Sequence, residues 1–98
     1  MMTLTDKPLS ILKEQVPQLQ FPTEDVIHSA TERSHRRRML ERCTKLGNLS
    51  KGKVHIVFED DQSLKEVYTT IWATTEHNVV LKRNACIPIH RVHRVYSL

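Results

Sequence analysis

Two periodicities divide the chain. Up to Leu46 apolar residues recur at three- and four-residue spacing, and after Gly52 they alternate. Leu9, Leu12 and Val16 predict a short helix after Pro8. Pro17 and Pro22 limit it, because proline lacks an N–H and restricts the residue before it. An extended Gln-rich link then reaches Phe21. Thr23 to Leu46 reads as the main helix, with Thr23 as N-cap and with Glu24 and Asp25 in the first turn, where the helix dipole favours negative charge. Gly47-Asn48 is the expected stop, since both residues tolerate left-handed backbone. The apolar stripe is Val26, Ile27, Ala30, Leu40, Cys43 and Leu46, and it fades between Thr31 and Arg38. A helix of that span would be roughly 36 Å long, so one end should project or the helix should break near Ser34.

From Val54 onward the pattern is that of short strands. Val54, Ile56 and Phe58 alternate with His55, Val57 and Glu59. Glu59-Asp60-Asp61-Gln62-Ser63 is a polar turn, with the paired aspartates read as turn chemistry. Leu64 to Thr75 is a long run of strand formers, with Val67, Thr69, Ile71 and Ala73 on one face and Tyr68, Thr70 and Trp72 on the other. Val79 to Leu81, Cys86 to Ile89 and His93 to Tyr96 complete five strands, with His90-Arg91-Val92 as a single tight turn before the last. Strands this short with links this brief favour closure, which hides their edges. The second strand is apolar on both faces, so Tyr68 and Trp72 are the expected seat of the helix. On that reading Trp72→Ala should cost ~3–5 kcal/mol, as buried Trp truncations do. The expected fold is α+β: residues 1–22 a short helix or partly disordered segment, residues 23–98 one domain in which a helix packs on a C-terminal five-stranded, strongly bent small β-barrel.

The order of a helix, a Val-x-Ile-x-Phe strand, an acidic turn, a long bent strand, Val-Val-Leu-Lys and Ile-Pro-Ile-His-Arg-Val resembles the Sm-like and SH3-like small barrels. It is most similar to the bacterial Sm-like RNA chaperones and to Sm-like Rho-termination inhibitors, over roughly Thr23 to Tyr96. The resemblance implies a helix capping the barrel, a one-turn helix before the last strand, and assembly through strand edges. In the RNA chaperones a Tyr-Lys-His motif before the last strand contacts uridine-rich RNA. The matching residues here are Pro88-Ile89-His90, so only His90 carries over. Pro88 removes a backbone donor from the fourth strand, the mark of an unpaired edge.

Charge sharpens the picture. The 98 residues carry a net charge of +4. Eight Lys/Arg against one Glu lie between Arg33 and Lys53, whereas residues 1–32 are acidic and residues 54–98 balanced. Such a block suits polyanions, and arginine suits phosphate because its planar fork makes two parallel hydrogen bonds. The candidate binding residues are Arg33, Arg36, Arg37, Arg38, Arg42, Lys45, Lys51, Lys53 and His90. Their expected partner is nucleic acid, RNA in preference to DNA, and the alternative is an acidic protein gripped by the same surface. Neutralisation by Glu24, Asp25 and Glu32 would weaken the case. Aromatic residues for base stacking are scarce, at 5%.

Other chemistry finds less support. Cys86, His90 and His93 have a C-x3-H-x2-H spacing, but a strand would send the two histidines to opposite faces. They are read as surface histidines and a buried thiol, with no metal and no cofactor. No nucleophile signature or phosphate-cradling glycine loop is present, and a domain of this size is expected to struggle to enclose a substrate pocket. The expectation is a small non-enzymatic regulatory protein. With no signal peptide and no bilayer-spanning run, it is expected to be cytoplasmic, with free thiols and no membrane partner, as a monomer or small homo-oligomer.

Overall fold

The computed structural model describes residues 7–98 as an α+β fold with one α-helix and seven strands in two sheets. The elements are β1 (Leu9–Ser10), α1 (Ala30–Ser50), β2 (Val54–Glu59), β3 (Leu64–Thr69), β4 (Ile71–Thr74), β5 (Asn78–Leu81), β6 (Cys86–Pro88) and β7 (Val92–Ser97). One sheet runs β1-β3-β2-β7 and the other β4-β5-β6. The long run from Leu64 passes from the first sheet to the second at Thr70. All pairings are antiparallel except that of β1 with β3. A 3-10 turn, Ile89–Arg91, precedes β7, one residue earlier than the expected His90-Arg91-Val92, and Val92 already belongs to the strand.

Alternation places the core. Val54, Ile56 and Phe58 of β2 are buried, as are Val67 and Thr69 of β3, Val79 and Leu81 of β5, and Val92 and Val95 of β7. α1 closes this core with Leu40 and Cys43, and it contacts β4 and β7. Asp60 caps the β2–β3 turn: its Oδ1 accepts from the N–H groups of Gln62 and Ser63 at 2.9 Å each. Buried Lys65 holds the same carboxylate at 2.9 Å. Burial pushes the Asp60 carboxyl up, but those N–H groups and Lys65 outweigh it and hold it below its ordinary value.

Three expectations are corrected. First, α1 begins at Ala30, not near Thr23, and residues 23–29 form a non-helical strap. Ser29 is the N-cap, its Oγ accepting from the Glu32 N–H at 3.3 Å. The backbone upstream is committed elsewhere: the Ile27 N–H donates to Asp25 Oδ1 and the Val26 N–H to the His90 carbonyl. Such local bonds compete with helix formation. Nor does the helix break near Ser34; it runs unbroken to Ser50 and leaves Leu49 exposed. Gly47 does not stop it. That glycine lies against the Ile71 carbonyl, where a Cβ would collide, and the stop is Lys51 in left-handed backbone (φ 55°).

Second, Trp72 and Tyr68 do not seat the helix, for both are about half exposed. The buried stripe of α1 is Arg36, Leu40, Cys43 and Gly47, which enters the same core as Ile71, and among the described residues no second layer covers Tyr68 and Trp72. The cost of Trp72→Ala should fall well short of a buried tryptophan's. Third, the segment before Thr23 belongs to the core. Residues 1–6 lie outside the described residues, but β1 pairs with β3, and the short helix expected after Pro8 is a 3-10 helix, Lys13–Gln18, with Pro17 inside it rather than at its end. It buries Val16, while Leu19 and Phe21 pack against the core. Among the described residues no helix is long and apolar enough to cross a membrane.

Candidate functional site

The basic block is divided by the helix itself. At about 100° per residue, Arg36, Leu40, Cys43 and Gly47 share one face, and Arg38, Arg42 and Lys45 fall on the opposite one. Arg36 points inward and is 6% exposed. Its two terminal nitrogens grip the Asp25 carboxylate at 2.8 and 2.9 Å, and one also donates to the Val92 carbonyl at 3.1 Å. Burial pushes the Asp25 carboxyl up. Arg36, the Ile27 N–H and Arg33 outweigh it and hold the carboxyl below its ordinary value. Arg33 donates from Nε to the Ile27 carbonyl at 2.6 Å and lies 3.3 Å from Asp25. Arg37 donates to the carbonyls of Thr75 and Glu76. Of the candidate residues, then, Arg33, Arg36 and Arg37 spend their guanidinium groups on the protein's own oxygens.

His90 is also committed. Its Nε2 lies 2.8 Å from the Pro22 carbonyl, and its own carbonyl accepts from Val26. Next to it, Arg91 is buried and donates to the carbonyls of Glu59 and Glu24 at 3.0 and 2.8 Å. The 3-10 turn before β7 is therefore the clamp that holds the strap. His93 pairs with Glu59 at 2.9 Å. Cys86 is exposed rather than a buried thiol, and among the described residues no group of three metal-ligating side chains converges.

The remaining cations are placed differently. Arg38, Arg42 and Lys45 are exposed on the outer face of α1, and Lys51 and Lys53 are exposed where the helix hands over to β2. None of the five has a side-chain hydrogen bond or ion-pair partner among the described residues. Glu41 is the acidic residue within that row.

Sequence reasoning missed a second feature beside this row. His55 of β2 stands directly opposite Tyr68 of β3 on one side and Tyr96 of β7 on the other. The rings form a row on the outer face of the sheet. His55 and Tyr68 are stacked with centroids 4.4 Å apart and planes 6° apart, and Tyr96 lies 5.6 Å from His55 on the other side. Both tyrosines are nearly half exposed. The outward set of β2 already contained His55, but the strand register that lines it up with two tyrosines is not visible in local sequence.

Two hollows flank these groups. An open groove of about 790 Å³ runs between the strap, α1 and β7, lined by Ile27, His28, His35, Met39, Arg94 and Tyr96 among others. A smaller one of about 340 Å³ lies over Asp25, Arg33, Arg36 and Arg37. Both hollows are open to solvent rather than enclosed. Compared with known proteins, the chain finds no counterpart: no family model matches it, and no curated protein or solved structure does.

Proposed function

We propose that this protein is a non-enzymatic binding module, a small cytoplasmic regulatory protein that contacts single-stranded nucleic acid, RNA in preference to DNA. The observation that carries the reading is the row of unpaired cations Arg38, Arg42 and Lys45, continued by Lys51 and Lys53. Cations already bonded to the protein add little to a phosphate contact, whereas exposed, unpaired ones release counterions from the polymer on binding. The two free cysteines, one buried and one exposed, accord with a reducing compartment.

The fold reading that accompanies this is the Sm-like or SH3-like small barrel. β3 and β4 would together form its one strongly bent strand, α1 its cap, and the 3-10 turn at Ile89–Arg91 the hinge before the last strand. The preference for RNA follows from that resemblance. The contact differs from the one the resemblance implies, because His90 is bonded to Pro22 and the free cations lie on the helix.

The test is a salt titration of binding to a labelled single-stranded RNA. The logarithm of affinity should fall linearly with the logarithm of salt, and replacing Arg38, Arg42 and Lys45 with Ala should reduce the slope by about 2, at roughly 0.7 per lost phosphate contact. Absence of any complex at low salt defeats the reading. Retention of a defined acidic protein after nuclease treatment, without RNA binding, would transfer the same surface to that partner.

A further inference from the structure

The row Tyr68–His55–Tyr96 lies on the outer face of a sheet whose inner face is already the core. Cross-strand packing explains why the rings touch, since opposed side chains on neighbouring strands stabilise each other. It does not explain why two tyrosines should be left nearly half exposed, at 49% and 43%, with no element among the described residues laid over them. The surroundings narrow what could cover them. Lys53 precedes His55 by two residues on the same face, and Arg94 stands two residues before Tyr96 with its guanidinium donating to the Tyr96 hydroxyl at 3.3 Å. The row next to the rings is Arg94, Val57 and Glu66, which offers one aliphatic side chain. A hydrophobic protein partner needs a broader apolar field than this. A flat π-system attached to a phosphate fits it: rings to stack on, and cations on either side.

We propose that Tyr68, His55 and Tyr96 form a stacking platform for unpaired nucleobases, with Lys53 and Arg94 flanking the strand that carries them. This rests on the nucleic-acid reading and deepens it, because it assigns base contact to one surface and phosphate contact to another. Exposed Lys51 and Lys53 lie in the chain between the end of α1 and β2, so cations stand between the helix that carries Arg38, Arg42 and Lys45 and the strand that carries His55. His55 serves as the central spacer. Its Nε2 is fixed by Glu66 at 3.0 Å, which holds the imidazole parallel to Tyr68. Tyr96 stacks on His55 on one side and borders the 790 Å³ groove on the other, where a further base has room to continue the stack. Stacking of this kind tolerates any base, because every base has a π-face, and it requires the bases to be unpaired.

The experiment measures affinity for fluorescein-labelled 15-mers of uridine and of adenosine, and for an RNA duplex of equal length, using the whole protein. Tyr68→Leu and Tyr96→Leu remove the π-face while keeping an apolar side chain. Each should weaken single-strand binding by about 5- to 150-fold, as loss of a base–aromatic stack does. The salt slope should stay unchanged, because the phosphate contacts remain. Tyr68→Phe and Tyr96→Phe keep the ring and should bind like the parent, and thermal melts identify any variant that has lost its fold. The Phe variants add a second readout: on addition of the uridine 15-mer, the protons of the remaining rings should shift upfield. Leu variants that are folded and bind as tightly as the parent overturn the platform while leaving the phosphate reading intact, as does duplex bound as tightly as single strand. Failure of both 15-mers to bind at low salt overturns both readings, whereas binding of one homopolymer and not the other overturns the base-tolerant platform alone.

Discussion

The two ends of one helix put arginine to opposite uses. In the N-terminal half, Arg33, Arg36 and Arg37 turn back onto the protein and bond Asp25 and the carbonyls of Ile27, Val92, Thr75 and Glu76. In the outer and C-terminal part, Arg38, Arg42 and Lys45 are exposed and have no side-chain partner among the described residues. Arg37 and Arg38 are chain neighbours, yet one ties α1 to the β4–β5 turn and the other is free. The difference comes from 100° of rotation per residue and from where the strap and the turn happen to pass. A run of basic residues is thus not one feature but two. The inner set cross-links the fold through Asp25 and backbone carbonyls, and the outer set has no such bonds among the described residues.

The largest effect expected of this contrast is at Arg36. Removing it leaves Asp25 half-buried without its main counter-charge and strips a donor from the Val92 carbonyl, so Arg36→Ala should destabilise by about 3–5 kcal/mol in denaturant unfolding. A midpoint like the parent's would erase the division between the two sets. Gly47→Ala comes next. The new methyl would press on the Ile71 carbonyl and on Thr70, and overpacking of this kind costs about 1–3 kcal/mol, against a gain of up to about 1 from helix propensity. A net loss by thermal melt supports the close approach of α1 to β4, and a net gain rules it out.

Acid should sharpen the contrast further. Asp25 and Asp60 both have carboxyls held below the ordinary value of 3.8 in the fold. Their stabilisation is full above 3.8 and is lost as pH falls through the lowered folded-state values, because the unfolded chain takes up the proton first. Unfolding measured at pH 7 and pH 3 should show this loss, and Asp25→Asn with Asp60→Asn should shrink the difference between the two conditions. The smallest effect belongs to the outer set: Ala at Arg38, Arg42 or Lys45 should each change stability by no more than about 0.5 kcal/mol. A larger change would mean that these residues too are part of the fold.

Alternation was legible to the residue in places. Val54, Ile56 and Phe58 point inward, Tyr68 and Trp72 are both exposed, and the brief turn between the last two strands lies one residue before the His90-Arg91-Val92 stretch that suggested it. The same pattern misled where a face was assumed to be covered. Two apolar faces on the second strand run suggested two layers, but the second face is open, because tyrosine and tryptophan carry enough polar character to stand half in water. The start of α1 was misplaced because Asp25 looks like a first-turn residue by charge alone. In the fold it is an acceptor for the Ile27 N–H and for Arg36, eleven positions away.

Period, strand spacing and the basic block between Arg33 and Lys53 are properties of the chain itself, since they depend on steric preference and charge over a few residues. Which arginines are buried, why Gly47 must be glycine, and that Tyr68, His55 and Tyr96 stand in one row were decided by tertiary structure. Each depends on the register and approach of segments distant in sequence, and no local preference encodes the distance between them.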